Sequence, residues 1–276
     1  MILLDGKKLS DKLYGLLEDF PDKSKYKLFI ITIGDDAASK VYVKNKIKAC
    51  EKVGIACENV AFSSNISPAD FGRAVENIVK SFYALDSDYR NGGVILQLPA
   101  PKKYVDILND YLAPQYDVDG LGDTNQAMLM TGEVPYHYPA TPKGIMTLLN
   151  NYNIEIEGKH VVIVGRSEIV GKPLAQMMLD KNATVTICHS KTPNLSNFTC
   201  IADILIVAVG KPKFIKASDV KWGAVVIDVG INKTEDGLCG DVDFYPVAEK
   251  CYAITPVPGG VGPMTVYSLI ENVLMQ

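Results

Sequence analysis

The stretch HVVIVG at residues 160–165, followed by RSEIVGKP at residues 166–173, decides the fold class. Its apolar, β-branched first part predicts a buried strand, and residues 172–181 predict a helix directly after the turn. A glycine at the end of such a strand lets backbone N–H groups approach a phosphate, and the helix N-terminus favours an anion. The pattern is therefore typical of a dinucleotide-binding turn, with GxSxxxG in place of the usual GxGxxG.

Strand-like and helix-like segments alternate outward from this turn in both directions. Predicted strands lie at residues 27–34, 56–63, 93–98, 184–189, 203–210 and 224–230, and predicted helices lie at 38–53, 68–83, 104–112, 142–151 and 263–276. Such alternation predicts an α/β fold, in which helices cover a parallel sheet. The regular pattern stops at residues 113–143, which are rich in Pro, Gly, Asp and Thr and predict a domain boundary with functional loops.

The composition excludes several classes of protein. The 276 residues are 47% hydrophobic and 22% charged, which is enough apolar surface for a packed core, so disordered and fibrous architectures are excluded. The net charge of −4, without blocks of like charge, predicts no nucleic-acid partner. The apolar runs are too short for a membrane helix, and six scattered cysteines predict reduced thiols in the cytoplasm. Because the three histidines lack ligand spacing, we expect no metal site.

The end of the second strand of the dinucleotide unit indicates which cofactor binds. An NAD site generally places Asp or Glu there to hold a ribose hydroxyl. This strand ends instead at His189-Ser190-Lys191. Arg166 in the turn, together with Ser190 and Lys191, could hold an extra phosphate, so the sequence predicts NADP rather than NAD. The alternative is that Arg166 and Lys191 are ordinary solvated cations.

The predicted helix at residues 38–53 carries one unusual lysine. At about 100° per residue, Lys46 falls on the apolar stripe one turn after Tyr42, whereas the other lysines of this helix fall on the solvated side. Desolvation lowers the proton affinity of an ammonium group, which makes a lysine usable as a base near neutral pH. The alternative, equally open on the helical pattern alone, is that Lys46 snorkels from the edge of the stripe to water.

Other polar residues occur where an α/β sheet binds its ligands, beyond the carboxyl ends of strands. Gln97 lies in an apolar run and must find hydrogen bonds, either structural ones or with a neighbour such as Lys46. Asp117 and Asp119 lie in YDVDG, where turn formation is the alternative to a functional role. The loop TPVPGGVGPMT at residues 255–265 would let a flat ligand approach the backbone, or would serve as a connector.

Seven motifs stand in the same order as in one enzyme family. They are SxxYVxxKxK with the following Gly-Ile at residues 39–55, QLP at 97–99, DVDG at 117–120, TPxG at 141–144, GRSxxVGxP at 165–173, GDV at 240–242 and PGGVGPMT at 258–265. With these motifs, the chain resembles the bifunctional methylenetetrahydrofolate dehydrogenase/methenyltetrahydrofolate cyclohydrolase family from about residue 4 to the end. It departs from the family pattern at Ala100, Tyr116, Leu121 and Ala140, none of which is a proposed catalytic group.

The resemblance implies two domains and two reactions in a cleft between them. An N-terminal α/β catalytic domain would span residues 1–140, with the final helix (263–276) returning to it, and a Rossmann-type NADP-binding domain would span 141–262. NADP-dependent oxidation of methylenetetrahydrofolate would give methenyltetrahydrofolate, and its hydrolysis would give 10-formyltetrahydrofolate. A homodimer, formed through an edge of the Rossmann domain, is implied as well.

The resemblance also implies roles for individual residues. Lys46 would be the general acid/base of the hydrolysis, and Gln97 would hydrogen-bond both Lys46 and the substrate. Tyr42 would stack on the folate, and Asp119 would accept hydrogen bonds from the pterin. The expected folate site is completed by Leu98, Pro258, Gly259 and Gly260. The expected cofactor site consists of Gly165, Arg166, Ser167, Val170, Ser190, Lys191, Val209, Gly210, Gly230 and Ile231.

Three other functions stay open on the sequence. A dehydrogenase without hydrolase activity would be favoured by the loss of Lys46 or Gln97, and both are present. Shikimate or amino-acid dehydrogenases also pair a smaller α/β domain with a Rossmann unit, but they would not explain the PGGVGPMT loop. A cofactor-sensing binding module would bind NADP without turnover.

Overall fold

The computed structural model describes residues 1–83 and 91–275. Its strands, numbered along the chain, are β1 (Ile2–Leu3), β2 (Tyr26–Ile33), β3 (Ala56–Phe62), β4 (Asn91–Leu96), β5 (His160–Val164), β6 (Thr184–Cys188), β7 (Ile204–Val207), β8 (Val225–Asp228), β9 (Asn232–Thr234), β10 (Gly237–Cys239) and β11 (Ala253–Ile254). Its α-helices are α1 (Gly6–Leu16), α2 (Ala37–Val53), α3 (Pro68–Tyr83), α4 (Lys102–Tyr111), α5 (Asp123–Thr131), α6 (Ala140–Asn151), α7 (Gly171–Leu179), α8 (Ser196–Thr199), α9 (Phe244–Ala248) and α10 (Val261–Leu274).

The described residues form two compact units. The N-terminal unit contains Leu13–Ala140 and the last helix from Val266 onward, and the C-terminal unit contains Met1–Lys12 and Thr141–Thr265. Within the described part of the chain, no helix has the length and hydrophobicity needed to cross a membrane.

The N-terminal unit is built on a parallel sheet with the strand order β3-β2-β4. The central strand β2 reads YKLFIITI, and its residues 28–31 are all buried, because a parallel strand covered on both faces needs apolar side chains at consecutive positions. In the core on one face, the rings of Phe71 from α3 and Tyr104 from α4 have centroids 4.9 Å apart. Tyr116, a departure from the family pattern, stacks on Phe82 at 4.7 Å and therefore packs in this core.

The C-terminal unit is built on a parallel sheet with the strand order β1-β11-β8-β7-β5-β6. From β5 the chain proceeds to β6 on one side and then crosses to β7 on the other side, so the strand order reverses between β5 and β7. In open parallel sheets, ligands bind beyond the carboxyl ends of the strands at such a switch point. The predicted α/β fold class is confirmed, and the turn after β5 lies at the switch point.

The strands and helices predicted from the sequence occur in the structure, with bounds that differ by no more than three residues. One further helix, α5, forms within residues 113–143, which were expected to be irregular; its sequence DTNQAMLMT has no clear apolar stripe that could have predicted it. The first twelve residues, expected in the N-terminal domain, belong to the C-terminal unit, because β1 pairs with β11 through Ile2↔Ala253 and Leu3↔Ile254.

Candidate active site

Lys46 lies in the middle of α2, a helix with well-defined ends. The carboxylate of Asp36 caps the N-terminus by accepting the backbone N–H of Ser39 at 2.7 Å, and Gly54 ends the helix in a left-handed conformation. The side chain of Lys46 is buried, with 8% of the residue exposed, whereas the lysines at positions 40, 44, 48 and 52 of the same helix are exposed. Lys46 therefore does not snorkel to water, and the helical-pattern prediction that it lies on the buried face is correct.

The ammonium group of Lys46 has one defined partner at the end of β4. Its Nζ donates a hydrogen bond to Oε1 of Gln97 at 3.0 Å. Burial lowers the pKa of Lys46, and the negative charge of Asp119 opposes this shift. Lys46 can therefore adopt the neutral amine form near neutral pH more readily than a solvated lysine can. This property suits Lys46 to accept and return a proton.

The orientation of the Gln97 amide is set by its backbone neighbours. Its Nε2 donates to the carbonyl oxygen of Leu98 at 2.9 Å, which leaves Oε1 to accept from Lys46. Ser39 Oγ donates to the same Leu98 oxygen at 3.3 Å and so connects the start of α2 to the segment after β4. Tyr42 lies one turn before Lys46 on α2 and is 39% exposed, so its ring is accessible to a ligand.

Asp117 and Asp119 have different environments although both belong to the DVDG motif. The carboxylate of Asp117 is buried and accepts the N–H groups of Gly122 at 2.7 Å and Leu121 at 3.3 Å, as well as the amide of Asn125 at 2.8 Å. Burial raises the pKa of Asp117 to about 6, and these three donors oppose the shift. Asp117 therefore forms the turn, and Asp119 is the member of the pair whose charge acts on Lys46.

Two buried polar side chains hold this turn and were missed in the sequence. Asn272, on α10, donates its amide to the carbonyl oxygens of Val118 at 2.9 Å and Tyr138 at 3.0 Å. Asn125, on α5, is the second: its Nδ2 donates to Asp117 Oδ2 at 2.8 Å, and its Oδ1 accepts the backbone N–H of His137 at 3.2 Å. The sequence contained one indication of this role for Asn272: it is a polar residue within the apolar face of the last helix, where a buried side chain must find hydrogen-bond partners.

The turn after β5 in the C-terminal unit is closely packed at two glycines. Gly165 has φ +137°, and a Cβ there would lie 2.4 Å from the carbonyl oxygen of Ala208, at the end of β7. A Cβ at Gly171, the first residue of α7, would lie 2.2 Å from the oxygen of Gly165. Ser167 Oγ accepts the N–H groups of Val170 at 3.2 Å and Gly171 at 3.4 Å, so this side chain satisfies two donors at the start of α7.

The three residues expected to hold the extra phosphate follow two neighbouring strands of the sheet. Arg166 follows β5, and Ser190 and Lys191 follow β6, the neighbouring strand in the sheet; all three are exposed. Exposed cations beside a glycine turn at a switch point match the requirements of a phosphorylated dinucleotide. The residues present therefore fit NADP. Within residues 1–83 and 91–275, no cluster of three or more His, Cys, Asp or Glu could hold a metal ion.

Two buried carboxylates lie at the carboxyl ends of β7 and β8, and sequence reasoning did not assign a role to either of them. Asp241 accepts the backbone N–H groups of Val209 at 2.6 Å, Gly210 at 2.9 Å and Lys211 at 2.8 Å. Asp228 accepts the backbone N–H of Asp241 at 2.9 Å. The expected cofactor residues Val209 and Gly210 thus direct their N–H groups at a carboxylate of the protein itself.

The glycine loop before α10 belongs to the C-terminal unit. Gly259 has φ +107°, and its carbonyl oxygen accepts the backbone N–H of Lys7 at 2.8 Å. A Cβ at Gly6 would lie 1.9 Å from the oxygen of Gly260, so the N-terminal segment passes directly against the loop. The structure therefore places Pro258, Gly259 and Gly260 in one unit and Lys46, Gln97 and Asp119 in the other.

Comparison with known proteins identifies the family. Residues 4–119 match the catalytic domain of the tetrahydrofolate dehydrogenase/cyclohydrolase family, and residues 139–276 match its NAD(P)-binding domain. The chain is 45% identical to the bifunctional protein FolD of Halalkalibacterium halodurans, with 99% of this chain and 97% of that protein covered. A crystal structure of FolD from Campylobacter jejuni, a methylenetetrahydrofolate dehydrogenase/cyclohydrolase, is 41% identical with a TM-score of 0.91, covering 99% of this chain and 97% of that chain.

A second solved structure concerns the cofactor. FolD from Trypanosoma brucei, crystallised with NADP and an inhibitor, is 31% identical with a TM-score of 0.88, covering 99% of this chain and 96% of that chain. Together with the two matched domains and the near-complete coverage, these likenesses establish that the chain belongs to the tetrahydrofolate dehydrogenase/cyclohydrolase family.

Proposed function

We propose that this protein oxidises methylenetetrahydrofolate with NADP and hydrolyses the methenyltetrahydrofolate product to 10-formyltetrahydrofolate. The observation that carries the proposal is the buried Lys46, whose Nζ donates to Gln97 Oε1 at 3.0 Å. A buried amine with a lowered pKa beside an amide does not improve the packing of a helix, because burial of a polar group is unfavourable, but it is suited to acid–base chemistry. Family membership removes shikimate and amino-acid dehydrogenases as alternatives.

In the oxidation, the protein binds and orients the substrate. The chemistry that bound NADP supplies is the acceptance of a hydride from the one-carbon bridge of the folate. Gly165 and Gly171 let the backbone of the turn pack closely against Ala208 and against itself. Arg166, Ser190 and Lys191 would hold the additional phosphate of the dinucleotide. Tyr42 would stack on the pterin and Asp119 would accept its hydrogen bonds, so the role of these residues is positioning rather than bond making.

In the hydrolysis, Lys46 would move the protons. The neutral amine takes a proton from water as the water oxygen bonds to the cationic methenyl carbon. The resulting ammonium returns a proton to N5 of the folate as the bond between N5 and this carbon breaks. The remaining hydroxyl proton leaves to solvent as the formyl carbonyl forms on N10. Gln97 holds the amine in place throughout, because its own amide is fixed by Leu98.

The test of the hydrolytic assignment is Lys46→Met, with Lys44→Met as the matched control. Both lysines lie on α2, but Lys44 is exposed and Lys46 is buried, so only the first substitution removes the buried amine. We expect cyclohydrolase turnover, followed as decay of the methenyl chromophore without cofactor, to fall by about 10²–10⁴-fold in Lys46→Met. The control should retain turnover, and the dehydrogenase should suffer less than the hydrolase.

Retained hydrolysis in a folded Lys46→Met protein would refute the role of Lys46. A wild-type protein that oxidises methylenetetrahydrofolate but does not hydrolyse methenyltetrahydrofolate would instead support a monofunctional dehydrogenase. NADP binding without either turnover would support the cofactor-sensing module. Circular dichroism of each variant establishes that it is folded.

The preference for NADP is tested by the ratio of kcat/KM with NADP to kcat/KM with NAD. Arg166→Ala should lower this ratio by about tenfold, because a charge-assisted contact to the extra phosphate is lost. Lys172→Ala is the matched control, since Lys172 is also exposed but pairs with Glu168 at 3.0 Å. Equal or better use of NAD by the wild type would contradict the preference.

We further propose a cytoplasmic homodimer. Six free cysteines support a reducing compartment. For the dimer, β6 is the outer strand of its sheet, and Ile187 on it is 39% exposed. Ile187→Lys should shift the protein towards monomer in light scattering, because a charge on an edge strand opposes pairing. A monomeric wild type would contradict the dimer.

A further inference from the structure

Three successive backbone N–H groups after β7 converge on one side chain. Val209 and Gly210 donate to Oδ2 of Asp241 at 2.6 Å and 2.9 Å, and Lys211 donates to Oδ1 at 2.8 Å. Consecutive N–H groups turned to one side form a concavity that binds anions. Here the anion is a carboxylate of the protein, which is 0% exposed.

The same carboxylate also connects to the segment after β8. Asn232, the first residue of β9, donates its side-chain amide to Oδ1 of Asp241 at 2.8 Å. A Cβ at Gly230 would lie 2.2 Å from Cγ of Asp241, so the backbone after β8 passes directly against the carboxylate. Asp241 therefore joins the segment 209–211 to the segment 230–232.

Asp228 supports Asp241 from the end of β8. Its Oδ1 accepts the N–H groups of Gly230 at 3.0 Å and Asp241 at 2.9 Å, and its Oδ2 accepts the N–H of Val242 at 2.9 Å. A Cβ at Gly240 would lie 1.8 Å from Oδ2 of Asp228, which requires glycine before Asp241. The two carboxylates thus form one connected network that fixes where Asp241 sits.

We propose that Asp241 is a positioning residue that sets the shape of segments 209–211 and 230–232 for the bound dinucleotide. The inference rests on the proposed function, in which Val209, Gly210, Gly230 and Ile231 contribute to the cofactor site. Asp241 does not touch the cofactor; it acts through the backbone of these residues. It differs from a general stabilising group because, within the described part of the chain, the hydrogen bonds that its carboxylate accepts all come from the two segments named.

Without the carboxylate, the N–H groups of Val209, Gly210 and Lys211 would lose their acceptor. These three donors are partly buried, so leaving them without an acceptor is unfavourable, and the segment would rotate its peptides towards water. Gly210, with φ +64°, can adopt other backbone conformations at little cost, so this segment is able to rearrange when its donors lose their acceptor. The cofactor would then meet a rearranged surface, although the sheet beneath it is unchanged.

The test compares Asp241→Asn with Asp203→Asn. The first keeps the shape of the side chain but turns one acceptor into an N–H₂ group that faces backbone donors. Asp203 is the matched control, because it accepts the backbone N–H of His160 at 2.9 Å and the ammonium of Lys221 at 2.5 Å at the amino-terminal edge of the same sheet. Both variants lose hydrogen bonds in one sheet, but only Asp241→Asn loses them at the carboxyl edge.

We expect the Kd for NADP, measured by calorimetry, to rise about tenfold in Asp241→Asn and to stay at the wild-type value in Asp203→Asn. Cyclohydrolase turnover, which needs no cofactor, should fall less than the affinity does. In the cofactor-free protein, amide hydrogen exchange at residues 209–211 should accelerate in Asp241→Asn, whereas it should be unaffected in Asp203→Asn.

Unchanged NADP affinity in Asp241→Asn, or equal loss of affinity in both variants, would overturn the inference. A wild-type protein without NADP affinity would instead overturn the proposed function. If Asp241→Asn does not fold, Asn232→Ala removes a single bond to the same carboxylate from a half-buried position. Its Kd for NADP should still rise, by about two- to fivefold, and an unchanged value there would equally overturn the inference.

Discussion

Replacing Asn272 by alanine tests whether the last helix holds the turn that carries Asp119. The amide of Asn272 is 2% exposed and donates to two carbonyl oxygens, those of Val118 and Tyr138. The oxygen of Val118 is in the interior, where loss of its donor costs about 1–3 kcal/mol, and that of Tyr138 is partly accessible to water, where the loss is about 1 kcal/mol. We therefore expect the free energy of unfolding of the N-terminal unit to fall by about 2–4 kcal/mol.

The measurement is urea denaturation followed by far-ultraviolet circular dichroism and by amide exchange in the DVDG turn. The single tryptophan, Trp222, lies in the C-terminal unit, so its fluorescence reports on the other unit. Asn151→Ala is the control, because the amide of Asn151 also donates to a carbonyl oxygen, at 3.0 Å, but from an exposed position at the end of α6. It should change stability by less than about 0.5 kcal/mol. Equal effects of the two substitutions would refute the reasoning.

The kcat of the cyclohydrolase should rise with pH through the lowered pKa of Lys46. Asp119→Asn removes the charge that raises this pKa, so in a pH–rate profile the rise should move to lower pH. An unchanged midpoint would contradict the coupling between Asp119 and Lys46. Gly6→Ala should destabilise the protein by about 2 kcal/mol in urea denaturation, because the new Cβ would meet the carbonyl oxygen of Gly260. Gly15→Ala is the control on the same helix, because nothing lies within 4 Å of its Cβ; it should be neutral or stabilising by up to about 1 kcal/mol. The pKa of Asp228 is raised to about 7 in the folded protein, above an unfolded value of about 3.9. Its contribution to stability is therefore fully present below pH 4 and is lost as pH rises through 7, so the free energy of unfolding of the wild type should fall by at most about 4 kcal/mol over this range. A similar dependence of stability on pH in Asp228→Asn would contradict the assignment.

The residues that sequence reasoning identified correctly are those whose environment is local. Lys46 could be placed on the buried face of α2 because the apolar stripe and the other lysines lie in the same helix. For Gln97, an apolar run required hydrogen bonds, but only the structure shows that Lys46 and Leu98 provide them. The roles proposed for these residues stay predictions until the variants are measured.

The residues that were missed depend on contacts between distant parts of the chain. Asp241 contacts the segment 209–211, which lies 30 to 32 residues before it in sequence, and Asn272 contacts a turn 154 residues away. No periodic pattern carries such pairings, because periodicity reports only which face of an element is buried. The first strand was missed for a related reason, since two residues are too few to show an alternation before β11 provides their partner.

The N–H groups of Val209, Gly210 and Lys211 all point towards Asp241, which gives the two sides of this segment after β7 opposite partial charges. In a trans peptide the carbonyl points opposite to the N–H, so the oxygens of Ala208, Val209 and Gly210 face away from Asp241. The first of these oxygens lies against Gly165. The side of the segment that carries these oxygens therefore has partial negative charge, which disfavours phosphate and can accept hydrogen bonds from hydroxyl or amine groups. We therefore expect hydroxyl or amide donor groups of a bound dinucleotide, rather than its phosphates, to face these oxygens.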